Sequence, residues 1–258
     1  IPPNSIIANL PFHPHAAMWF DHHISEEARG AHMNAPFKGR FAAAPSAARL
    51  IYEYYHADRR LHPFADLVAA TDRVDSAQLT LEDVVNPAGY VLLAYTLDPR
   101  AGLEDLDREA YFLLLLDWLK HEPLAEILKR PEVKRLTDRL QAEDQACRQV
   151  LRDHSRRDGN VIVTDLRGVE TPAGNRFLIY TLFPEANVSV RCALDAGGEV
   201  ATVSVGYSLF NRTCKTNIGN LLGEYGGGGL VSVGAARFPA GEAEAKFQAI
   251  VRRLKDAG

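Results

Sequence analysis

Three short segments of the chain carry side chains that could bind a metal ion or a phosphate group. In the first, Asp21, His22 and His23 follow an apolar run at residues 17–20. One carboxylate and two imidazoles in a small volume form a ligand set that suits manganese, iron or zinc. A carboxylate beside a metal-bound histidine can also fix the tautomer of its ring. The alternative interpretation is a surface turn that contains two histidines, because a tripeptide easily matches by chance.

The second segment offers two more acids. Asp72 and Asp75 come after an apolar stretch at residues 67–71, which we interpret as a strand. Acids at the end of a buried strand would add carboxylate ligands to the histidines. The alternative is a capped helix start, with Asp75 or Ser76 as the N-cap of the helix that follows.

The third segment is a run of glycines. Consecutive glycines let the backbone approach a ligand closely and expose amide groups to an anion. The alternative is a flexible loop, although the run lies between a predicted helix and a predicted strand. Arg212 and Lys215 precede the run and could either bind a phosphate or form a solvated basic turn. The glycines are Gly226, Gly227, Gly228 and Gly229.

The first part of the chain predicts the elements that would position the first two segments. Apolar residues predict short strands at 5–9 and 17–20, and Pro11 and Pro14 separate them. A helix is predicted at 41–55, where Ser46 is a candidate cap. Open α/β sheets bind ligands at the carboxyl ends of their strands, so we expect the histidine segment at such an edge.

The rest of the chain predicts a helical segment followed by a sheet. Residues 103–153 are helical, with breaks at Pro123 and Pro131. Apolar side chains on nearly all sides of residues 111–119 predict a buried helix, and the narrower stripe at 136–151 is typical of a connecting helix. The predicted strands are 161–165, 176–182, 188–194, 200–207 and 230–237, and the predicted helices are 218–225 and 241–254.

Composition limits the class of partner. The net charge is −4 and the pI is about 6.2, whereas proteins that follow duplex DNA are usually basic, so long duplex nucleic acid is disfavoured. Cys147, Cys192 and Cys214 are too few and too widely spaced for a disulfide framework or a zinc site, and we expect reduced thiols. No apolar run approaches the roughly 20 residues that span a bilayer. These features predict a cytoplasmic protein without a membrane partner.

Together these segments resemble one family. Residues 19–23, Trp-Phe-Asp-His-His, resemble the motif that names the DHH phosphoesterase superfamily. Residues 74–79 resemble its later acidic motif, and residues 217–219 with 225–229 resemble the glycine motif of the DHH-associated substrate domain. Segments at 8–14, 44–49, 183–187 and 210–213 resemble the exopolyphosphatase-like branch. The resemblance covers essentially the whole chain in the family's order.

The resemblance implies an α/β fold in which a parallel-sheet DHH domain is joined by a helical linker to a smaller α+β mixed-sheet domain. The implied boundaries are 1–115 for the metal-binding domain, 116–157 for the linker and 158–258 for the substrate-binding domain. The implied activity is metal-dependent hydrolysis of phosphodiester or phosphoanhydride bonds. The substrate would be a small nucleotide, a short oligonucleotide or polyphosphate. Two Mn²⁺ ions, with Mg²⁺ or Co²⁺ as substitutes, would stabilise the attacking and leaving oxygens.

The resemblance also implies roles for single residues. His22 would bind metal together with Asp75, and Asp72 is the alternate acid. Asp21 would orient His22, and His23 would contact a metal or the phosphate. The implied catalytic residues are Asp21, His22, His23 and Asp75, and the implied metal ligands are His22, Asp75, Asp72 and Asn9. The implied substrate-binding residues are His23, Asn211, Arg212, Gly226, Gly227, Gly228 and Gly229.

The chain departs from the family pattern at three points. Asn9 stands where the family has a bridging Asp, and a neutral amide bridges two cations poorly. Leu230 follows the glycines where the family has a His that contacts substrate. The family's first Asp-x-Asp motif is expected in a segment upstream of Ile1. A catalytically degenerate protein that binds a nucleotide or phosphate as a regulator is therefore the alternative function. The sequence is also compatible with a homodimer.

Overall fold

The computed structural model describes residues 1–2, 4–23, 30, 36–56, 58–98 and 107–256. Its contacts divide the chain into two compact units. The first unit comprises residues 1–79 and 88–94, and the second comprises residues 80–87 and 95–258. The described residues 95–98 and 107–115 thus belong to the second unit, whereas the domain boundaries predicted at 115 and 157 remain predictions. The predicted fold class is confirmed, because one unit contains a parallel sheet and the other a mixed sheet.

The first unit is built on a parallel sheet, which has three strands within the described residues. The strands, in sheet order, are β1 (Ile6–Ala8), β2 (Met18–Asp21) and β3 (Gly39–Phe41). Trp19 and Phe20 are consecutive in β2, so their side chains point to opposite faces, and both are buried. The strands predicted at 5–9 and 17–20 are confirmed.

β3 was not predicted, and the helix predicted at 41–55 begins only at Ala47. Phe41 ends β3, and its ring stacks on Trp19 at a centroid distance of 5.1 Å. A Cβ at Gly39 would lie 2.0 Å from the carbonyl oxygen of Trp19, so the strand enters the sheet at a residue that only glycine can occupy. Unlike β1, whose three residues are all apolar, β3 is Gly-Arg-Phe and has only one apolar side chain, too few for an apolar pattern.

Helices follow the sheet in the first part of the chain. Ser46 is the N-cap of the first one, as predicted, and its Oγ accepts a hydrogen bond from the Arg49 amide at 3.0 Å. The helices are α1 (Ala47–Tyr54), a 3-10 helix (Arg59–Phe64), α2 (Ala65–Asp75), α3 (Leu81–Val85) and α4 (Gly89–Tyr95).

The strand predicted at 67–71 is wrong, because these residues lie inside α2. A short apolar run does not distinguish a strand from a buried helix, and alanine at 65, 69 and 70 favours the helix. The alternative of a helix capped by Asp75 or Ser76 is also wrong. Ser76 is the C-cap of α2, and Thr80 caps α3 through a capping box with Asp83.

Three helices precede the second sheet, and one of them differs from its prediction. They are α5 (Arg108–His121), α6 (Leu124–Ile127) and α7 (Pro131–His154). Residues 111–119 were predicted to be buried on all sides, but in α5 only Tyr111, Leu115 and Trp118 are buried. The opposite face is apolar and exposed. The apolar pattern showed that this helix lacks a polar face, but it could not show whether every face has a partner.

The second sheet has six strands within the described residues. In chain order they are β4 (Ser155–Asp158), β5 (Val161–Asp165), β6 (Val188–Leu194), β7 (Val200–Tyr207), β8 (Gly228–Gly229) and β9 (Val233–Pro239). The sheet order is β4-β5-β6-β7-β9-β8, in which β5 and β6 pair parallel and all other neighbours pair antiparallel. One face forms a core with α9 (Ile218–Gly223) and α10 (Ala243–Asp256), in which Phe247 and Ile250 are fully buried. The strands predicted at 161–165, 188–194 and 200–207 are confirmed.

The strand predicted at 176–182 is wrong. Residues Leu178–Leu182 form the short helix α8, which brings the Tyr180 hydroxyl within 2.8 Å of Ser189 Oγ and 3.1 Å of the Gly206 carbonyl oxygen. Two further elements are shifted: the strand predicted at 230–237 begins at Val233, and the helix predicted at 218–225 ends at Gly223. The helix predicted at 241–254 is confirmed as α10, after a 3-10 turn at Ala240–Glu242. β4 was not predicted, because its four residues, Ser-Arg-Arg-Asp, include no apolar side chain.

The cysteines are buried free thiols, as predicted. Burial raises the pKa of Cys192 to about 11 and also raises the pKa of Cys147, so these two groups remain protonated at neutral pH. Within the described residues, no helix combines the length and the apolar character needed to cross a membrane.

The glycine run lies at the edge of the second sheet and is mostly required by packing. A Cβ at Gly227 would lie 2.2 Å from the Ala235 carbonyl oxygen, and a Cβ at Gly229 would lie 2.2 Å from the Val233 carbonyl oxygen. Gly228 differs, because no atom lies within 4 Å of its would-be Cβ. The backbone is therefore approachable at Gly228 and closely packed at Gly227 and Gly229.

This difference predicts unequal effects of alanine at adjacent positions. Gly227→Ala should lower the free energy of unfolding by about 1–3 kcal/mol, because the methyl group overlaps the backbone of β9. Gly228→Ala should change it by less than about 0.5 kcal/mol. Urea unfolding followed by circular dichroism measures both values. Equal shifts of the unfolding midpoint for the two variants would contradict the difference in packing between Gly227 and Gly228.

Candidate active site

The polar groups of the first unit converge at the carboxyl ends of its three strands. Asn9 follows β1, Asp21 ends β2 with His22 directly after it, and Ala44 lies in the loop after β3. The carboxyl ends of parallel strands lie on the same edge of a sheet. The backbone N–H of Asn9 also donates a hydrogen bond to the Phe20 carbonyl oxygen at 3.0 Å, which fixes Asn9 beside the end of β2.

The His22 ring is oriented by a backbone carbonyl. Its Nδ1 lies 2.9 Å from the Ala44 carbonyl oxygen, which can only accept a hydrogen bond, so Nδ1 carries the proton. In the neutral ring, Nε2 is then an unprotonated nitrogen with a free lone pair. This nitrogen lies 3.2 Å from Asn9 Oδ1 and 3.1 Å from Asp75 Oδ2. One nitrogen and two oxygens, all with lone pairs, therefore face one another.

Asp21 is buried beside this group, with 1% of its surface exposed. Its Oδ1 accepts hydrogen bonds from the His22 amide at 2.9 Å and from His23 Nδ1 at 2.7 Å. Its Oδ2 is buried and has no hydrogen-bond partner within the described part of the chain. Asp21 thus orients the ring of His23 and only the backbone of His22, whereas the sequence predicted that it would orient the His22 ring.

These groups fit a divalent cation. A buried carboxylate oxygen without a partner is costly, and so is a lone pair that faces two oxygens, unless a cation or a second ring proton lies among them. Ligand atoms of Asp21, His22 and His23 lie within 4.8 Å of one another, close enough to share one ion. Imidazole nitrogen with carboxylate and amide oxygen is a donor set that suits Mn²⁺ and similar ions.

The two candidate acids of α2 have different surroundings. Asp72 Oδ1 accepts a hydrogen bond from Ser46 Oγ at 2.7 Å, and its Oδ2 accepts two from the Arg49 guanidinium at 2.8 and 2.5 Å. Both oxygens of Asp72 are therefore occupied by structural contacts. Asp75, one helical turn later, lies against His22 and is one-third exposed. The geometry thus favours Asp75 over Asp72 as the acidic ligand.

Asp72 also holds the loop that orients His22. Through Ser46 and Arg49 it links the start of α1 to the last turns of α2. Ser46 lies two residues after Ala44, whose carbonyl group binds the His22 ring. This linkage connects the carbonyl that fixes His22 to the helix that carries Asp75.

Asn9 has an unusual backbone conformation, with φ of 60°. Asparagine tolerates this left-handed region better than most residues, and such residues often lie at functional sites. Here the conformation turns the chain at the end of β1 and places Asn9 Oδ1 beside His22. The type of residue was noticed in the sequence, but its contact with His22 required the structure.

Apart from His23, which lies in the first unit, the candidate substrate-binding residues lie in the second unit. Asn211 Nδ2 donates to the Glu185 carbonyl oxygen at 2.8 Å, and Asn211 Oδ1 accepts from Thr213 Oγ1 at 2.7 Å. The side chain of Asn211 therefore shapes its own loop. Arg212 is exposed, with its Nε 3.2 Å from the Leu209 carbonyl oxygen. Arg212 and the open sides of Gly226 and Gly228 are the groups of this set that can meet a ligand.

Two further polar residues of this unit, Asn187 and Ser189, make internal contacts. Asn187 is buried, donates to Thr213 Oγ1 at 3.1 Å and accepts from Asn160 at 3.0 Å. Ser189 Oγ forms a hydrogen bond with the Tyr180 hydroxyl. Burial raises the pKa of Tyr180, so the Tyr180 hydroxyl remains protonated at neutral pH. Both residues stabilise the sheet end that carries the Arg212 loop.

Sequence reasoning missed two parts of the candidate metal site. The Ala44 carbonyl group has no side-chain signal that could have revealed it. The contact of Arg49 with Asp72 joins residues that are 23 positions apart, and neither residue type predicts that the other is its partner. Only the N-cap serine at the start of α1 indicated that this loop is ordered.

Comparison with known proteins identifies the family. No family model and no curated protein matches the chain. The structure of PggH, a pGpG-specific phosphodiesterase from Vibrio cholerae, matches with a TM-score of 0.88 and 30% identity over 98% of this chain and 84% of that one. An exopolyphosphatase-related protein from Bacteroides fragilis shares the fold, with a TM-score of 0.51 and 13% identity over 93% of this chain and 64% of that one. With its Asp-His-His segment at the end of a parallel strand, the chain belongs to the DHH phosphoesterase superfamily.

Proposed function

We propose that this DHH-type phosphoesterase is a metal-dependent phosphodiesterase that hydrolyses a short linear dinucleotide of the pGpG type. The observation that carries the proposal is the convergence of His22 Nε2, Asn9 Oδ1 and Asp75 Oδ2 beside a buried Asp21 carboxylate. The choice of substrate is supported by the 30% identity with a pGpG-specific phosphodiesterase over almost the whole chain.

The proposed metal ligands are His22, Asp75 and Asn9, with Mn²⁺ as the expected ion. A divalent cation in such a site lowers the pKa of a bound water and neutralises charge on the phosphate. The Ala44 carbonyl group keeps the proton of His22 on Nδ1, so that Nε2 remains a ligand atom. His23 donates its Nδ1 proton to Asp21, which leaves Nε2 of a half-exposed ring to contact the metal or the scissile phosphate.

A short substrate agrees with the charge of the protein. The net charge of −4 opposes the binding of a long polyanion, whereas one or two phosphates need only a local group of donors. Arg212 can supply two parallel donors to a phosphate, and the backbone at Gly228 allows close approach. Leu230, which is 70% exposed, cannot donate the hydrogen bond that the family's histidine provides. We therefore assign phosphate binding in the second unit to Arg212 and the glycine backbone.

The direct test is incubation of the purified protein with pGpG and Mn²⁺, with chromatographic separation of the products. Water adds to the phosphorus, the P–O3′ bond breaks, and the 3′ oxygen leaves with a proton, so one pGpG yields two GMP. We expect GMP formation that EDTA abolishes and Mn²⁺ restores, and no release of phosphate from polyphosphate. Binding of pGpG without turnover would replace this proposal with the regulatory alternative, and neither binding nor turnover would refute the substrate assignment.

His22→Ala should weaken Mn²⁺ binding on the order of 100-fold, because it removes the nitrogen around which the oxygen ligands converge. Isothermal titration calorimetry with MnCl₂ measures this without any substrate. The matched control is His121→Ala, since His121 is an exposed histidine at the end of α5 whose Nδ1 contacts the Asp117 carbonyl oxygen. Retention of wild-type Mn²⁺ affinity in His22→Ala would rule out this metal site.

The two acids of α2 should respond differently to the same substitution. Asp75→Asn should weaken Mn²⁺ binding and lower kcat with little change in stability, because Asp75 is partly exposed and contacts His22. Asp72→Asn should lower the free energy of unfolding by about 1–2 kcal/mol, because the charged hydrogen bonds to Arg49 are weakened. Urea unfolding and Mn²⁺ titration of both variants separate the two roles. If Asp72→Asn were as stable as the wild type but lost Mn²⁺, Asp72 would be the ligand instead.

A further inference from the structure

One face of α5 is apolar and exposed. Phe112, Leu113 and Leu116 lie on this face and expose between 39% and 57% of their surface. The opposite face, with Tyr111, Leu115 and Trp118, is buried. Three large apolar side chains exposed to water on one helix face are unfavourable, and such a patch commonly marks an interaction surface.

The exposed face forms a stripe with a charge at each end. Glu109, Phe112, Leu113, Leu116 and Lys120 follow the spacing i, i+3, i+4, i+7 and i+11, which places them within an arc of about 100° on the helix surface. Leu114, although exposed, lies about 100° outside this stripe and is not part of it. Glu109 and Lys120 are both exposed and lie about 16 Å apart along the helix axis. The stripe therefore has an acidic end, an apolar middle and a basic end.

Such a stripe is complementary to itself when two copies run antiparallel. A two-fold axis near the middle of α5 places Glu109 of one copy opposite Lys120 of the other, twice, and packs the leucines between them. The helix dipoles also oppose each other favourably in this arrangement. A parallel arrangement would place Glu109 against Glu109 and Lys120 against Lys120, which is unfavourable.

We propose that α5 is the contact surface between two copies of this chain, paired antiparallel about a two-fold axis. A second copy satisfies both the apolar middle and the opposite charges at the two ends. A membrane surface suits the stripe less well, because a helix that lies on lipid usually carries several basic residues along its polar face. In α5 the exposed charges of both signs are mixed, since Arg108, Glu109, Asp117 and Lys120 are all exposed.

The experiment is sedimentation velocity over a concentration series of the purified protein and its charge-reversal variants. Wild-type protein should form a dimer. Glu109→Lys alone and Lys120→Glu alone should each raise the dimer dissociation constant on the order of tenfold, because both ends of the pair then carry like charges. An equimolar mixture of the two variants should restore the dimer, because a stripe with two basic ends then faces a stripe with two acidic ends. The double variant Glu109→Lys/Lys120→Glu should also dimerise, because it exchanges the two charges and keeps the stripe complementary to itself.

Two further variants keep the test specific. Leu113→Glu should abolish the dimer, because it introduces a charge into the apolar middle, and circular dichroism should show an unchanged fold since Leu113 is 57% exposed. Lys134→Glu is the matched control, since Lys134 is an exposed helical lysine that pairs with Asp138 at 2.7 Å in α7. It should leave the dimer unchanged.

A wild-type protein that is monomeric at all concentrations would overturn the proposal. It would also be overturned by a dimer that neither Leu113→Glu nor the charge reversals weaken, since that dimer would use another surface. A dimer that the single variants weaken, but that mixing does not restore, would exclude the antiparallel pairing. None of these outcomes depends on pGpG hydrolysis, so the test is independent of the proposed function.

Discussion

The hydrogen bond between His22 Nδ1 and the Ala44 carbonyl oxygen is the interaction on which the candidate site depends. It fixes the tautomer of the ring and leaves an unprotonated nitrogen directed at Asn9 and Asp75. Without it, the ring could turn its proton towards these oxygens and satisfy them without a metal. A backbone carbonyl suits this role, because it cannot donate a proton and cannot rotate away from its place in the chain.

The carbonyl group is in turn held by a linkage between two helices. Ser46 caps α1 and donates to Asp72, and Arg49 in the first turn of α1 binds the same carboxylate. Asp72 therefore fixes both the loop behind His22 and the last turn of α2, which carries Asp75. Asp72, which lies outside the proposed ligand set, can thus control the distance between His22 and Asp75, and outer contacts of this kind commonly tune metal sites.

The glycine segment combines packing with access. Gly227 and Gly229 are glycines because the neighbouring strand leaves no space for a side chain, whereas Gly228 faces open space. The glycine run is therefore neither a flexible loop nor an open cradle along its whole length. Close packing on both sides holds the backbone in place at Gly228, where approach is possible, and a rigid backbone loses little entropy when a ligand binds.

The sequence by itself determined the class of the fold and the residue types of the candidate site. Strands with a clear apolar pattern, such as β5, β6 and β7, were predicted at their observed limits, because burial within a sheet imposes a local pattern. The Asp-His-His segment was likewise predicted to be a candidate ligand set from its residue types alone. The tertiary structure decided which acid, Asp75 or Asp72, faces His22, because two residues one helical turn apart differ only in what lies beside them. It also decided that one face of α5 is exposed. An apolar pattern shows which side chains of a helix are hydrophobic, but it does not show whether another element packs against them.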